Sequence, residues 1–132
     1  MRFFLRPLFY LWALPGTAVG LLCLPLALLS GGGVRVVRGA LEVHGGLVAF
    51  LLRRLVPIAG GASAMTLGHV ILGCDRESLD RCREHEHVHV RQFERWGPFM
   101  IPLYLIASGV ALIRGRDPYR DNPFEREAYE RG

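Results

Sequence analysis

Between Leu79 and Trp96 the chain runs eighteen residues with neither proline nor glycine, and no other stretch is left so little conformational choice. Its arginines, glutamates and Gln92 are fair helix formers. Cys82, His85, Glu86, His89, Phe93 and Trp96 recur at spacings of three and four, so a helix gathers them on one stripe. Arg81, Arg83, His87, Arg91 and Arg95 fall mostly off it. Such a helix turns two imidazoles and a carboxylate inward. Burying them is costly unless they are paired or held by a cation. The segment therefore demands a partner from elsewhere in the chain.

His85-Glu86-His87-Val88-His89 reads as H-E-x-x-H. Residues four apart on a helix share a face one turn apart. His85 and His89 can thus occupy two corners of a tetrahedral Zn²⁺ site, with Glu86 beside them as a base toward metal-bound water. A strand would instead align His85, His87 and His89 on one face. The flanking Arg/Glu-rich pattern favours the helix. The plain alternative is a solvated helix whose histidines do nothing.

The chain has one short domain's length, 132 residues, and half of them are hydrophobic. All sixteen basic residues are arginine. They are scattered and acids are interleaved from Asp75 onward, with no basic stripe carrying aromatics, so nucleic-acid binding is not expected. Cys23, Cys74 and Cys82 have no ligand spacing and read as buried thiols, with a Cys74–Cys82 pair or a sulfur lent to a site as the alternatives.

From Leu8 to Ser30 no residue is charged, and Arg2 and Arg6 precede the run. Some 23 apolar residues can cross a bilayer, and the basic flank favours an N-in orientation. That would set the rest of the chain on the outer side of a bacterial cell membrane. Ser30-Gly31-Gly32-Gly33 offers a signal-cleavage site as an alternative. Pro15-Gly16, Gly20 and Pro25 suggest a broken or re-entrant helix as another. An uncleaved anchor is preferred because the run exceeds a signal core. The expected organisation is residues 1–33 as anchor and linker, and 34–132 as the functional domain.

Val34 to His44 reads as a strand or hairpin around Gly39, and Leu47 to Val56 as an apolar helix closed by Pro57 and Gly60-Gly61. Ala64 to Gly73 reads as a second strand, with Gly68 marking a bulge or a close backbone approach. His44 and His69 read as surface or satisfied histidines. Ser78, or nearly as well Asp75, caps the H-E-x-x-H helix. Gly97-Pro98 ends it. Phe99 to Ile113 is uncharged but short for a span, so it reads as a core helix or one that dips into a membrane. Turns at Asp117-Pro118 and Asn122-Pro123 lead to a last helix from Phe124 to about Glu130.

A catalytic zinc takes three protein ligands and keeps one position open. Glu125 and Glu127 in Asn122-Pro123-Phe124-Glu125-Arg126-Glu127-Ala128-Tyr129 are the best sources of the third. They lie about 200° apart on a helix and cannot both face one ion. Here the sequence resembles the zincin metallopeptidases, specifically the gluzincin-like branch whose downstream helix supplies a glutamate. In membrane-associated members such as the prenyl-protein endopeptidases, that helix carries E-x-x-A-D and its first glutamate binds zinc. Glu125-Arg126-Glu127-Ala128-Tyr129 matches E-x-x-A and departs at the Asp. By that register Glu125 is the ligand, and the hydrogen bonding an Asp would supply must come from elsewhere. A second likeness, to minimal zincin-like domains, lies in Ala64–Ile71 before the motif and His89-Val90-Arg91-Gln92 at its end. The two together cover about residues 62–130.

The resemblance implies an α+β, minimal zincin-like domain: a short sheet, the H-E-x-x-H helix and a C-terminal ligand helix. It implies a peptide or protein substrate paired along an edge strand. His85, His89 and Glu125 would bind Zn²⁺ and Glu86 would activate water, with Tyr119, Tyr129 or His69 steadying the oxyanion. One topological condition follows. If Phe99–Ile113 crossed a bilayer, Glu125 would lie on the opposite side from His85 and His89. Two other functions compete: a non-catalytic metal- or peptide-binding zincin-like membrane protein, and a metal-handling histidine cluster in which His87 matters as much as His89.

Overall fold

The computed structural model describes residues 2–54 and 63–132. Three short helices open the chain: α1 (Arg2–Trp12), α2 (Leu14–Leu21) and α3 (Cys23–Leu29). Then come β1 (Gly33–Val37), β2 (Ala40–His44), α4 (Gly46–Arg54), β3 (Ala64–Leu67), β4 (Val70–Gly73), α5 (Arg76–Trp96), α6 (Met100–Ile113) and α7 (Pro123–Arg131). A 3₁₀ turn at Gly97–Phe99 joins α5 to α6. The architecture is α+β. The expected stop at Pro57 and Gly60-Gly61 lies outside the described residues.

The four strands form one sheet in the order β1-β2-β4-β3. β1–β2 and β3–β4 are antiparallel hairpins, and β2 and β4 run parallel at the centre. Arg38 and Gly39 both have positive φ, the conformation a two-residue I′ turn requires. Ala64–Gly73 is not a single strand. It folds at Gly68-His69, with Leu67 opposite Val70. Gly68 takes φ +63°, and a Cβ there would stand 2.3 Å from the Thr17 backbone nitrogen, so the expected close approach is real.

The sheet is covered on both faces, and β4 accordingly has no exposed residue. Val70 and Leu72 pack with Val43, Ala27, Val48 and Leu52 beneath α3 and α4. Ile71 packs with Ala40, Leu79 and Val90 beneath α5. Each full burial of a Val, Leu or Ile side chain contributes about 1.5–3 kcal/mol. The face toward α5 also carries two polar side chains, Glu42 and Thr66, and both bond to α5. Glu42 accepts from Arg83 Nε at 2.8 Å and Nη2 at 3.0 Å, and from Arg35 at 3.2 Å. Those guanidinium bonds outweigh burial and hold the Glu42 carboxyl below its ordinary range. Removing a partner would leave a buried charge, so this pair fixes how α5 lies on the sheet.

The Leu8–Ser30 run is not one continuous helix. It breaks after Trp12 and again at Leu22, and its pieces lie on the fold. Gly16 meets the Phe93 ring and Gly20 meets Val70, each closer than a Cβ would allow. Trp12 Nε1 donates to Arg95 O at 3.2 Å, and Thr17 Oγ1 accepts from His69 N at 2.9 Å. A third cluster of Ala13, Phe93 and Met100, with Ile101, Tyr104 and Phe124, binds the α1–α2 junction, α5, α6 and α7 together. Among the described residues, one helical run is long and apolar enough to cross a membrane, Arg76–Ile113; its apolar part is the α6 end.

Candidate metal centre

Asp75 caps α5, its side chain accepting from Ser78 N at 2.7 Å, so the helix starts three residues before Leu79. It ends at Gly97, whose φ of +55° and contact with the Trp12 ring leave no room for a side chain. Glu86, His89 and Phe93 of the expected stripe are buried, His85 is half-buried and Trp96 is 40% exposed. The stripe is too narrow a description of the helix middle. His87 is also buried, because the parallel β2–β4 pairing brings β2 against a second side of α5, where Arg83 meets Glu42. Burial pushes its imidazole below the ordinary range.

α7 begins at Asn122, whose Oδ1 accepts from Phe124 N, with Pro123 in the first turn. It lies along α5 and brings Glu125 to the two imidazoles. Glu125 Oε1 is 2.9 Å from His85 Nε2 and 3.0 Å from His89 Nε2. Donor atoms of the three all lie within 4.8 Å of one another. The carboxylate of Glu86 stands 3.9 Å from His85 Nε2. His85, Glu86, His89 and Glu125 therefore converge as the sequence reading expected. Glu127 points elsewhere, accepting from Gln92 Nε2 at 2.8 Å.

Because Glu125 sits on the two histidines, α6 does not separate them. The chain beyond Ile113 turns back along α6. Asn122 Nδ2 donates to Tyr104 O at 3.1 Å and to Ser108 Oγ at 2.9 Å, about halfway along that helix.

Three further residues hold the centre and had no assigned role. Thr66 Oγ1 donates to Glu86 Oε1 at 3.0 Å and lies 3.1 Å from Glu86 O. Gln92 Oε1 accepts from His89 Nδ1 at 2.8 Å, and its amide reaches Phe124 O at 2.9 Å. This one side chain orients His89 and clamps α7. Tyr104 Oη donates to Glu125 Oε2 at 2.6 Å. Its signal in the sequence is slight: Tyr104 and Ser108 are the two side chains with hydrogen-bonding groups in Phe99–Ile113.

Of the three residues offered for the oxyanion, His69 lies apart from Tyr119 and Tyr129. His69 is buried, not at the surface; it stacks on Tyr10 and its Nε2 pairs with Glu94 at 2.9 Å. Tyr129 lies against the His85 ring, centroids 4.4 Å apart, and its hydroxyl meets that of Tyr119 at 3.0 Å. Cys23, Cys74 and Cys82 are thiols, not a disulfide.

The electrostatics follow from burial and pairing. Burial alone would raise the Glu125 carboxyl, but bonds from His85, His89 and Tyr104 pull it down to about 2. Burial would lower His89; its bond to Glu125 and the nearby Glu86 charge raise it to about 9. For Glu86, burial prevails over His89, His85 and Thr66 and lifts the carboxyl above its ordinary range.

The donor set fits a metal ion. A tetrahedral site with bonds of about 2.0–2.2 Å spaces its ligand atoms about 3.3–3.6 Å apart. The present 2.9 and 3.0 Å contacts need open only by a few tenths of an ångström. His85, His89 and Glu125 can thus hold a cation. No protein-family model, curated protein or solved structure matches this chain.

Proposed function

We infer that this chain is a small membrane-associated zinc metallopeptidase built on a minimal zincin-like domain. The observation that carries the reading is the convergence of His85, His89 and Glu125, with the Glu86 carboxylate 3.9 Å from His85 Nε2. Two imidazoles and one carboxylate are the donor set of catalytic zinc with an open fourth position. Bound there, zinc polarises a carbonyl and acidifies water.

The chain's own residues divide the remaining work. Gln92 keeps the His89 proton on Nδ1, which leaves the Nε2 lone pair for a cation. Tyr104 aims Glu125 by holding Oε2, so Oε1 faces the imidazoles. Thr66 occupies Glu86 Oε1, and Oε2 is left to take a proton from the attacking water and return it to the leaving amine. A carboxyl lifted above its ordinary range suits both transfers. Tyr129, packed on His85, is the member of the tyrosine pair beside the site and the better donor to a developing oxyanion. β3 is an edge strand joined to Glu86 through Thr66, and an extended peptide pairs naturally along such an edge. The apolar residues 8–30 supply membrane attachment.

The test is zinc content and hydrolysis of a mixed peptide library on the purified chain. Wild type should carry one zinc per chain. Glu86→Gln should keep the metal and lose about 10²–10⁴-fold in rate. Glu125→Gln should lose the metal, and His87→Ala should keep it, because His87 stands outside the cluster. Wild-type protein without stoichiometric metal ends this reading. Equal metal loss from His87→Ala would move it to the histidine-cluster alternative.

A further inference from the structure

We propose that α6 and the adjoining surface of α1 and the start of α2, from Leu8 to Leu14, together form one face that lies in the plane of an anionic lipid leaflet, embedded to headgroup and upper acyl depth without crossing it. The proposal concerns the membrane part of the reading above and stands apart from the chemistry of the metal centre.

The two faces of α6 differ in kind. Inward lie Met100, Tyr104 and Ala111, with Tyr104 and Ser108 bonded to α7 and its cap. Outward lie Leu105, Ile106, Leu112 and Ile113, exposed by 62–88%. Gly109 shares that side, and a Cβ there would meet open space. The outward stripe holds no polar side chain, an arrangement that monomeric soluble proteins seldom leave in water. It continues beyond α6. Phe99, 58% exposed, packs edge-on to Trp12, 43% exposed, with ring centroids 6.0 Å apart. Past Trp12 come the exposed Leu8, Leu11 and Leu14. Glu94 borders this patch, but its carboxylate is tied to His69.

The charges around the face select lipid as the occupant. No residue from 96 to 113 is charged; Arg95 precedes that run, and Arg114 and Arg116 follow it. All three are exposed. The next residue, Asp117, is exposed too, with its carboxylate turned back to accept from Tyr119 N and Arg120 N. An apolar stripe rimmed by arginines matches acyl chains beneath anionic headgroups, with long cationic side chains reaching up to phosphate. Trp12 at the junction suits the same depth.

The path of the chain argues against a crossing. α6 by itself, 14 residues or about 21 Å, is shorter than a hydrocarbon core of about 30 Å, and the uncharged run approaches that length only by including the 3₁₀ turn at Gly97–Phe99. Asn122 bonds back to the middle of α6, so the charged segment 114–121 folds along that helix. A vertical α6 would drag it into hydrocarbon; a helix lying flat leaves it in the headgroups. Lying flat also sets Glu125, held from the inward side by Tyr104, about one helix diameter from the lipid.

The test uses Gly109→Trp in the full chain on vesicles of mixed neutral and anionic phospholipid, with wild type giving the background of the two native tryptophans. Bromine is placed either near the carboxyl end of the acyl chains or near their middle. The introduced indole should be quenched severalfold more by shallow bromine than by deep. Adding Ile106→Asp and Ile113→Asp should abolish that difference. Quenching by neither lipid, with sedimentation showing a stable dimer, would assign the face to a second copy and overturn the proposal. Stronger quenching by deep bromine would mean a crossing and overturn it as well. Zinc content and hydrolysis measured on the same samples keep this outcome separate from that of the metallopeptidase reading.

Discussion

His89 should make zinc binding pH-dependent in a defined window. In the metal-free protein its imidazole faces Glu125 and holds a proton up to about pH 9. A cation must displace that proton. At pH 7 the ring is two units below its pKa, so about one chain in a hundred presents a neutral His89, a penalty of about 3 kcal/mol on zinc binding. Each unit of pH between 7 and 8.5 should raise the apparent zinc association constant about tenfold, levelling near pH 9. Glu125, pulled down to about 2, is ionised throughout and adds no slope. A competition titration against a chelating dye measures the constant, and imidazole NMR of metal-free protein measures the proton. Glu125→Gln should move the His89 midpoint down toward the ordinary imidazole range.

The same pair has a consequence for the metal-free fold. A raised histidine contributes stability that is complete below pH 6.5 and lost as pH climbs through about 9. A depressed carboxylate contributes stability that is complete above 4.5 and lost as pH falls through about 2. Metal-free protein should therefore melt highest between these limits and lower at pH 9 than at pH 6. A zinc constant flat from pH 7 to 8.5, or one levelling near 6.5, refutes the argument.

Two other outcomes test the surroundings of the centre. Tyr104→Phe removes the 2.6 Å bond to Glu125 Oε2 and should weaken zinc binding about 10–100-fold, with the fold unchanged by circular dichroism. Unchanged affinity would make Tyr104 a packing residue only. Gly68→Ala places a methyl group 2.3 Å from Thr17 in a left-handed conformation and should cost about 2–3 kcal/mol by denaturant titration. An unaltered midpoint would mean that α2 does not press on the β3–β4 turn.

The helix carrying the motif was legible because Leu79–Trp96 has no residue that could break it. A hairpin at Gly39 was one of two readings, beside a single strand, of Val34, Val36 and Val37 before Gly39 and the alternation after it; the I′ turn itself is set by the positive φ of Arg38 and Gly39. Glu125 was reached by the register of a resemblance, and geometry then separated it from Glu127. The turn at Gly68-His69 was not seen, since both short runs are apolar and Gly-His is a weak hairpin signal. The burial of His87 was hidden for a different reason. Periodicity reports one buried face, whereas here the parallel pairing of β2 with β4 brings β2 against a second. Tyr104, Thr66 and the Gln92 amide that holds α7 act across 20 to 32 residues of chain, distances over which local pattern carries no information, whereas the bond from Gln92 to His89 spans only one helical turn.

The donor oxygen of Glu125 comes from 36 and 40 positions away from the two rings it meets. A synthetic peptide copying Arg76–Trp96 would carry both imidazoles and the neighbouring base, yet remain one ligand short. Any competence of the H-E-x-x-H turn is thus a property of the returned chain: ending the molecule before Asn122 would take the third donor away while every letter of the motif stayed in place.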